Sequence, residues 1–303
     1  MIVSDIRSFE CEITQKELIE SSEERFLSQM RVAVEETAKR MGKIIFLSGP
    51  SCSGKTTSGR ILCEEFEKRG KKVKEISIDD FFYGRKDVER IARQTGNPID
   101  IESAAAIDLE YLMECGERIK NQESVMLPKF DFKTASRSGY EKWTPEEDSI
   151  VLFEGIQAIY PEVKQIFKDM ECTSLYIYPE TSVKACDEVF TSDELRLYRR
   201  LVRDERSRNS PPEKTFMLWE GVRANEEKNI FPYVSGVDIK IDSSFAYEPY
   251  MIKDALIGLM EGVEKDSIYK DKADKIVQKF KSLPSLTDKY LPVTSLFREF
   301  IGR

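Results

Sequence analysis

Apolar residues first recur along the chain at helical spacing. Phe26, Met30, Val34, Ala38 and Met41 follow a period near 3.6, which predicts a helix over residues 13–41. The pattern then changes to short apolar runs alternating with helix-spaced segments. Lys43-Ile44-Ile45-Phe46-Leu47-Ser48 reads as a buried strand, and 73–79 as a second. Ser149-Ile150-Val151-Leu152-Phe153 is continuous and apolar, the mark of a strand buried on both faces. Residues 175–178 and 237–241 supply two more strands. Between the first two, Leu62 and Phe66 sit four apart on one helical face, and Lys68-Arg69-Gly70 closes that helix with cations and a glycine. Residues 104–120 predict another helix, whereas 84–103, with Gly96-Asn97-Pro98 among charged residues, reads as a surface loop. Beyond residue 249 the chain reads as helices and a tail. Ile276, Val277 and Phe280 share one face there, with Pro284 and Pro292 as breakers. Such strand–helix alternation implies a parallel sheet covered by helices on both sides, with ligands at the carboxyl ends of its strands.

Composition narrows the class. The 303 residues are 34% charged and 40% hydrophobic, as in a globular protein with a sizeable core. A formal net charge of −8 argues against an extended nucleic-acid surface. No apolar run approaches the roughly 18 residues of a membrane span, and Met1-Ile2-Val3-Ser4-Asp5 does not read as a secretory signal. The six cysteines form no C-x-x-C pair, so reduced thiols, no structural zinc and a cytoplasmic location are expected. The chain contains no histidine, which removes Ser-His and Cys-His mechanisms and leaves proton transfer to carboxylates, lysine or tyrosine.

The ends of the predicted strands carry the chemistry. After the first stands Gly49-Pro50-Ser51-Cys52-Ser53-Gly54-Lys55-Thr56, a complete P-loop. Its backbone N–H groups wrap phosphates, Lys55 reaches the β/γ-phosphates and the Thr56 hydroxyl meets Mg²⁺. The second strand ends Ile78-Asp79-Asp80-Phe81-Phe82-Tyr83. Asp79 is the general-base candidate at an acceptor hydroxyl, with Asp80 read as a cap and capping by either aspartate as the bland alternative. The third ends Phe153-Glu154-Gly155, where Glu154 is placed to hold Mg²⁺. Arg196, Arg199, Arg200, Arg203, Arg206 and Arg208 fall within thirteen residues, and 196, 199, 203 and 206 share one face. That stripe suits a lid clamping phosphate oxygens or, equally, a solvated salt-bridged helix with Asp193, Glu194, Asp204 and Glu205. Phe81, Phe82, Tyr83, Phe130 and Phe132 could stack on a ligand ring or belong to the core.

These segments resemble the uridine kinase and phosphoribulokinase family of P-loop kinases, and most closely its bacterial nucleoside-kinase-like branch. The matching stretches are 49–57, 77–82, Leu127-Pro128-Lys129-Phe130-Asp131-Phe132, 151–156 and Arg199-Arg200-Leu201-Val202-Arg203-Asp204. The block 218–233 and Ser295-Leu296-Phe297-Arg298-Glu299-Phe300-Ile301-Gly302 are specific to that branch. The resemblance spans about residues 25–303. It implies ATP and Mg²⁺ as cofactors. ATP would lie on Gly49, Ser51, Cys52, Ser53, Gly54, Lys55, Thr56 and Thr57, and the metal at Thr56 and Glu154. It implies Asp79, Lys55, Arg199 and Arg203 in catalysis, with Phe82, Phe130, Phe132, Arg137 and Arg196 around the acceptor. Two positions depart on the acceptor side: Ala135 stands where uridine kinases have a histidine, and Ala105 where they have an aspartate.

The expected fold is a three-layer α/β/α P-loop NTPase fold with a mainly parallel sheet, an Arg-rich lid helix and helical extensions at both ends. Its divisions are a helical extension over 1–42, a kinase domain over 43–263 with the lid at about 192–212, and a helical tail over 264–303. The expected activity is ATP-dependent phosphorylation of a small-molecule hydroxyl, first of a nucleoside. A sugar, polyol or cofactor precursor as acceptor, or an NTP-binding regulator without an acceptor, is the alternative. The expected partners are ATP and the acceptor, with neither nucleic acid nor membrane, and homo-oligomerisation is left open.

Overall fold

A computed structural model describes residues 2–4, 12–40, 42–96 and 103–302. Met41, Asn97 and Pro98, used above to read a helix and a loop, lie outside the described residues. Strand β1 (Ile2–Ser4) precedes the long helix α1 (Glu12–Lys39). Then come β2 (Ile44–Ser48), α2 (Lys55–Glu67) and β3 (Val73–Ser77). After these follow α3 (Arg85–Thr95), α4 (Leu109–Lys120) and the hairpin β4 (Val125–Asp131)–β5 (Ser136–Trp143). The central part closes with β6 (Ile150–Glu154), α5 (Pro161–Ile166) and β7 (Cys172–Tyr178). A small ribbon β8 (Val183–Ala185)–β9 (Glu188–Phe190) leads into α6 (Ser192–Arg208), α7 (Pro212–Asn229) and α8 (Phe231–Val234). Last come β10 (Ile239–Asp242), α9 (Glu248–Glu261), α10 (Lys270–Lys281) and α11 (Arg298–Ile301).

The central sheet runs β10-β7-β2-β6-β3, and every neighbouring pair is parallel. Every residue of β2 is buried, as expected of a strand flanked on both edges and covered on both faces. The five strands read from apolar runs are these five. β2 leads through α2 to the edge strand β3, while β7 lies on its other side, so the loop after β2 opens at a topological switch point. No described helix is long and apolar enough to cross a membrane.

Several expectations change. Residues 85–95, read as loop, form α3. That helix is short and mostly charged yet amphipathic: Val88, Ile91 and Ala92 fall at helical spacing on one face, a signal overridden by the charged residues around it and by Gly96 at its end. The second strand ends at Ser77, and Asp79 sits in a 3-10 turn over Ile78–Phe81. The helix predicted over 104–120 divides into a 3-10 turn at Ala104–Ala106 and α4, because the Asp108 carboxylate caps Tyr111 N–H and begins a new helix there. The hairpin was not predicted, since Ser136–Trp143 is polar and largely solvent-facing. Residues before 43 and after 263 share the core of the central domain: Ile19, Phe26 and Met30 pack in the same cluster as Leu296, Phe297 and Phe300.

Candidate active site

The loop leaving β2 turns sharply under steric constraint. A Cβ on Gly49 would stand 2.3 Å from the Ile177 carbonyl oxygen and 2.6 Å from Ser53 Oγ, so only glycine fits. Cys52 has φ of 62° and Gly54 φ of 92°. A left-handed non-glycine residue costs on the order of 1–3 kcal/mol and persists only where its surroundings hold it. Ser53 N–H donates to the Pro50 carbonyl at 3.3 Å, and Lys55 Nζ donates to the same carbonyl at 3.2 Å. The buried Ser53 and Ser58 hydroxyls have no hydrogen-bond partner. An unpartnered hydroxyl inside a glycine loop at a helix N-terminus is the chemistry of an anion cradle. Thr56 is exposed at the head of α2, while the Thr57 hydroxyl donates to Glu299 Oε2 at 3.1 Å and so faces the tail.

Two carboxyl groups face Lys55. Burial pushes Glu154, at the end of β6, up to about 7; Lys55 pulls against that rise and Asp79 adds to it. The Asp79 carboxyl is raised for the same first reason, burial, again opposed by Lys55 and reinforced by Asp80. A carboxylate desolvated in this way gains from any cation or hydroxyl brought to it. No cluster of three or more metal-ligating carboxylate or thiol side chains occurs among the described residues. Mg²⁺ needs none, because it commonly takes one or two protein oxygens beside phosphate and water. Thr56 and Glu154 fit that requirement.

Asp79 also lines a cavity of about 430 Å³. Phe82, Tyr83, Phe130 and Phe132 form its aromatic side, with Phe130 and Phe132 edge to face at 5.2 Å, and Ala106, Ala135 and Ile156 add further apolar wall. Val88 and Arg85 from α3 and Gln157 from the turn after β6 complete it. Gln157 is 1% exposed and its Oε1 has no partner. Neither α3 nor Gln157 was singled out from sequence; the position of Gln157 three residues after the strand-end carboxylate was the available signal. Asp80 faces away from the cavity. It accepts from Phe130 N–H at 2.9 Å and Lys129 Nζ at 3.3 Å, and thereby ties the hairpin to the strand-end turn rather than capping a following segment. Arg137 lies in a neighbouring groove with Asp108, to which it donates at 2.8 Å, and does not line the apolar cavity. Ala135 lines the cavity as expected, whereas Ala105 is exposed and its neighbour Ala106 lines it instead.

The arginine stripe is the main departure. One reading turned it to phosphate oxygens and the other to solvent, yet Arg196 and Arg199 are fully buried against carboxylates. Arg196 pairs with Glu226 on α7, and its Nε donates to the Ser51 carbonyl at 3.1 Å. Arg199 pairs with Glu248 on α9 at 2.6 Å, and its Nη1 donates to the Cys52 carbonyl at 3.3 Å. The two guanidiniums therefore hold the outer face of the phosphate loop. Arg203 is half-buried against Asp204 at 2.8 Å, near enough to Cys52 and Glu299 for both to act on its charge. Their carboxylate partners lie 30 and 49 residues further along the chain, beyond the reach of helical spacing.

Residues 44–246 match the model of the Phosphoribulokinase / Uridine kinase family. The chain is 30% identical over 175 residues to the uridine kinase of Bacillus velezensis, covering 56% of this chain and 72% of that protein. It is 26% identical over 170 residues to uridine kinase-like protein 4 of Arabidopsis thaliana, covering 56% of this chain and 31% of that longer relative. Among solved structures, D-glycerate 3-kinase from Cryptococcus neoformans superposes with a TM-score of 0.49 at 14% identity, covering 75% of this chain and 97% of that one.

Proposed function

The chain belongs to the phosphoribulokinase and uridine kinase family of kinases, and from that premise we propose that it transfers the γ-phosphoryl group of ATP to a hydroxyl of a small molecule, first of a nucleoside. The observation that carries this reading is the placement of Asp79, whose carboxylate faces Lys55 on one side and lines the apolar cavity on the other. An acceptor hydroxyl lying in that cavity against Asp79 gives up its proton to the carboxylate as the oxygen attacks phosphorus. Lys55 and the loop N–H groups hold the phosphates, and Arg203, close enough to Cys52 for its charge to be felt there, adds positive charge as the transferred group becomes more negative. Thr56 and Glu154 would hold Mg²⁺, which would supply neutralisation of phosphate charge. Arg196 and Arg199 act through the loop backbone, which they hold by its carbonyls.

The cavity wall bears on the acceptor. Its polar groups are few, and each buried hydroxyl left unpaired costs about 1–3 kcal/mol. Phe82, Phe130 and Phe132 instead favour a flat ring. Ala135 lines the cavity and offers no polar readout of a pyrimidine edge. The expected acceptor is therefore a purine or modified nucleoside ahead of uridine, with a non-nucleoside alcohol second. A coupled ADP-release assay across nucleosides, sugars and polyols tests this. Saturable turnover on uridine or cytidine above all others would overturn the alanine reading. ADP release unaffected by every acceptor would favour an NTP-binding regulator.

A further inference from the structure

The segment 291–302 lies beyond the residues that match the family model, and it packs against the back of the phosphate loop. Leu296 is fully buried, and its Cδ1 would stand 2.4 Å from a Cβ on Gly54. The left-handed glycine that opens α2 thus rests directly on this side chain. One turn further on, Glu299 accepts the hydrogen bond from Thr57. The rings of Phe300 and Phe297 lie 4.9 and 5.9 Å from the guanidinium carbon of Arg199, whose Nη1 holds the Cys52 carbonyl.

The segment is itself anchored at several points. Ser295 Oγ donates to Glu23 on α1 at 2.7 Å. Arg206 on α6 donates to the Glu299 carbonyl at 3.4 Å, and within the segment Arg298 donates to the Leu291 carbonyl at 2.8 Å.

We propose that residues 295–302 are a latch that holds the phosphate loop in its anion-binding shape, so that nucleotide affinity depends on packing remote from the phosphates. A glycine-rich loop binds phosphate only when its N–H groups converge. Convergence here requires the Ser51 and Cys52 carbonyls to turn outward and Cys52 to stay left-handed, a conformation that relaxes unless its surroundings over-determine it. The latch supplies part of that determination twice, by contact with Gly54 and by enclosing Arg199. Reciprocity follows, because a nucleotide that needs the formed loop must also tighten the latch. None of residues 291–302 lines the acceptor cavity, so acceptor affinity stands apart.

The proposal rests on residues 49–56 being the phosphate site. Its test is calorimetric titration of the full chain with Mg-ATP, together with hydrogen exchange of the 296–302 amides. Leu296→Ala is expected to weaken Mg-ATP binding roughly tenfold, within the usual range for coupled sites. Leu296→Met, which refills the volume, is expected to recover most of the loss. In the unaltered protein, Mg-ATP is expected to slow exchange at 296–302 more than in the α10 helix, which needs no variant to fold. A Leu296→Ala protein that binds Mg-ATP as tightly as the unaltered chain would overturn the latch alone, as would exchange at 296–302 unmoved by bound Mg-ATP. Failure of the unaltered chain to bind Mg-ATP would overturn the nucleotide reading and the latch with it.

Discussion

The two sides of Asp79 are built in opposite ways. On the donor side the loop is enclosed by buried, partnered charges, with Arg196 on Glu226 and Arg199 on Glu248, and by the fully buried Leu296, Phe297 and Phe300. On the acceptor side the wall is an open cavity of mostly apolar side chains, and one of its rings, Phe132, is 65% exposed. On the proposed reading the donor side would recognise a ligand through backbone N–H groups, which any sequence supplies once the loop has its shape, so its structure is spent on fixing that shape. The acceptor side recognises through side-chain identity, so a single alanine in place of a polar residue changes what fits. Function on one side should therefore be lost by disturbing scaffolding, and on the other by changing contact residues.

The largest effect expected across this divide is at the boundary itself. Asp79→Asn should lower turnover on the order of 10²–10⁴-fold while leaving Mg-ATP affinity nearly unchanged. Asp80→Asn should act on acceptor KM through the hairpin instead; greater damage to turnover from Asp80→Asn than from Asp79→Asn would invert the assignment. Next in size is Glu248→Gln, which leaves the buried Arg199 charge uncompensated. Chemical denaturation should show a loss of about 3–5 kcal/mol, and a loss below about 1 kcal/mol would mean that this charge is hydrated and the donor side not rigidly built.

Lys55→Ala should remove most of the roughly 2.7 kcal/mol by which Mg-ATP at a hundredfold excess over its Kd stabilises the fold; an undiminished melting shift would free Lys55 of any phosphate role. Phe132→Ala should weaken acceptor binding by about 0.5–1.5 kcal/mol with Tm and Mg-ATP affinity unchanged, and a fall in Tm instead would make it a core residue.

The smallest effect is one of pH. Burial raises the Glu23 carboxyl above its usual range, against the lowering hydrogen bonds from Tyr247 and Ser295. A raised carboxyl favours the folded state below the unfolded value near 4.5, and that gain is lost as pH rises through the folded value. Glu23→Gln, which does not ionise, should flatten this decline in Tm above pH 4.5, whereas a slope like that of the unaltered chain would place its origin elsewhere.

Much of the fold was legible because its signals are local. A parallel strand buried on both faces reads as a nearly continuous apolar run, and Ile44–Leu47 of β2 and Ile150–Phe153 of β6 are such runs, whereas β7 opens on Cys172-Thr173-Ser174 and is apolar and aromatic only from Leu175. The P-loop was legible for a related reason: eight contiguous residues set its backbone, so spacing alone carries the chemistry. Asp79 and Glu154 were singled out because the loops and turns at the carboxyl ends of a parallel sheet are where its ligands sit.

Tertiary structure decided the rest. Helical spacing placed the arginines on one face of α6, but whether that face meets water, phosphate or carboxylate depended on Glu226, Glu248 and the Ser51 and Cys52 carbonyls, brought in from distant elements. The apolar face of α3 is only Val88, Ile91 and Ala92 in a short charged segment, and β5 is polar, so the place of α3 and of the β4–β5 turn in the acceptor wall was decided by packing. The contact of Leu296 with Gly54 joins residues 242 positions apart, the same separation as Thr57 and Glu299. Periodicity reports which face of an element is apolar; only the packed molecule decides what that face, or a charged one, is pressed against.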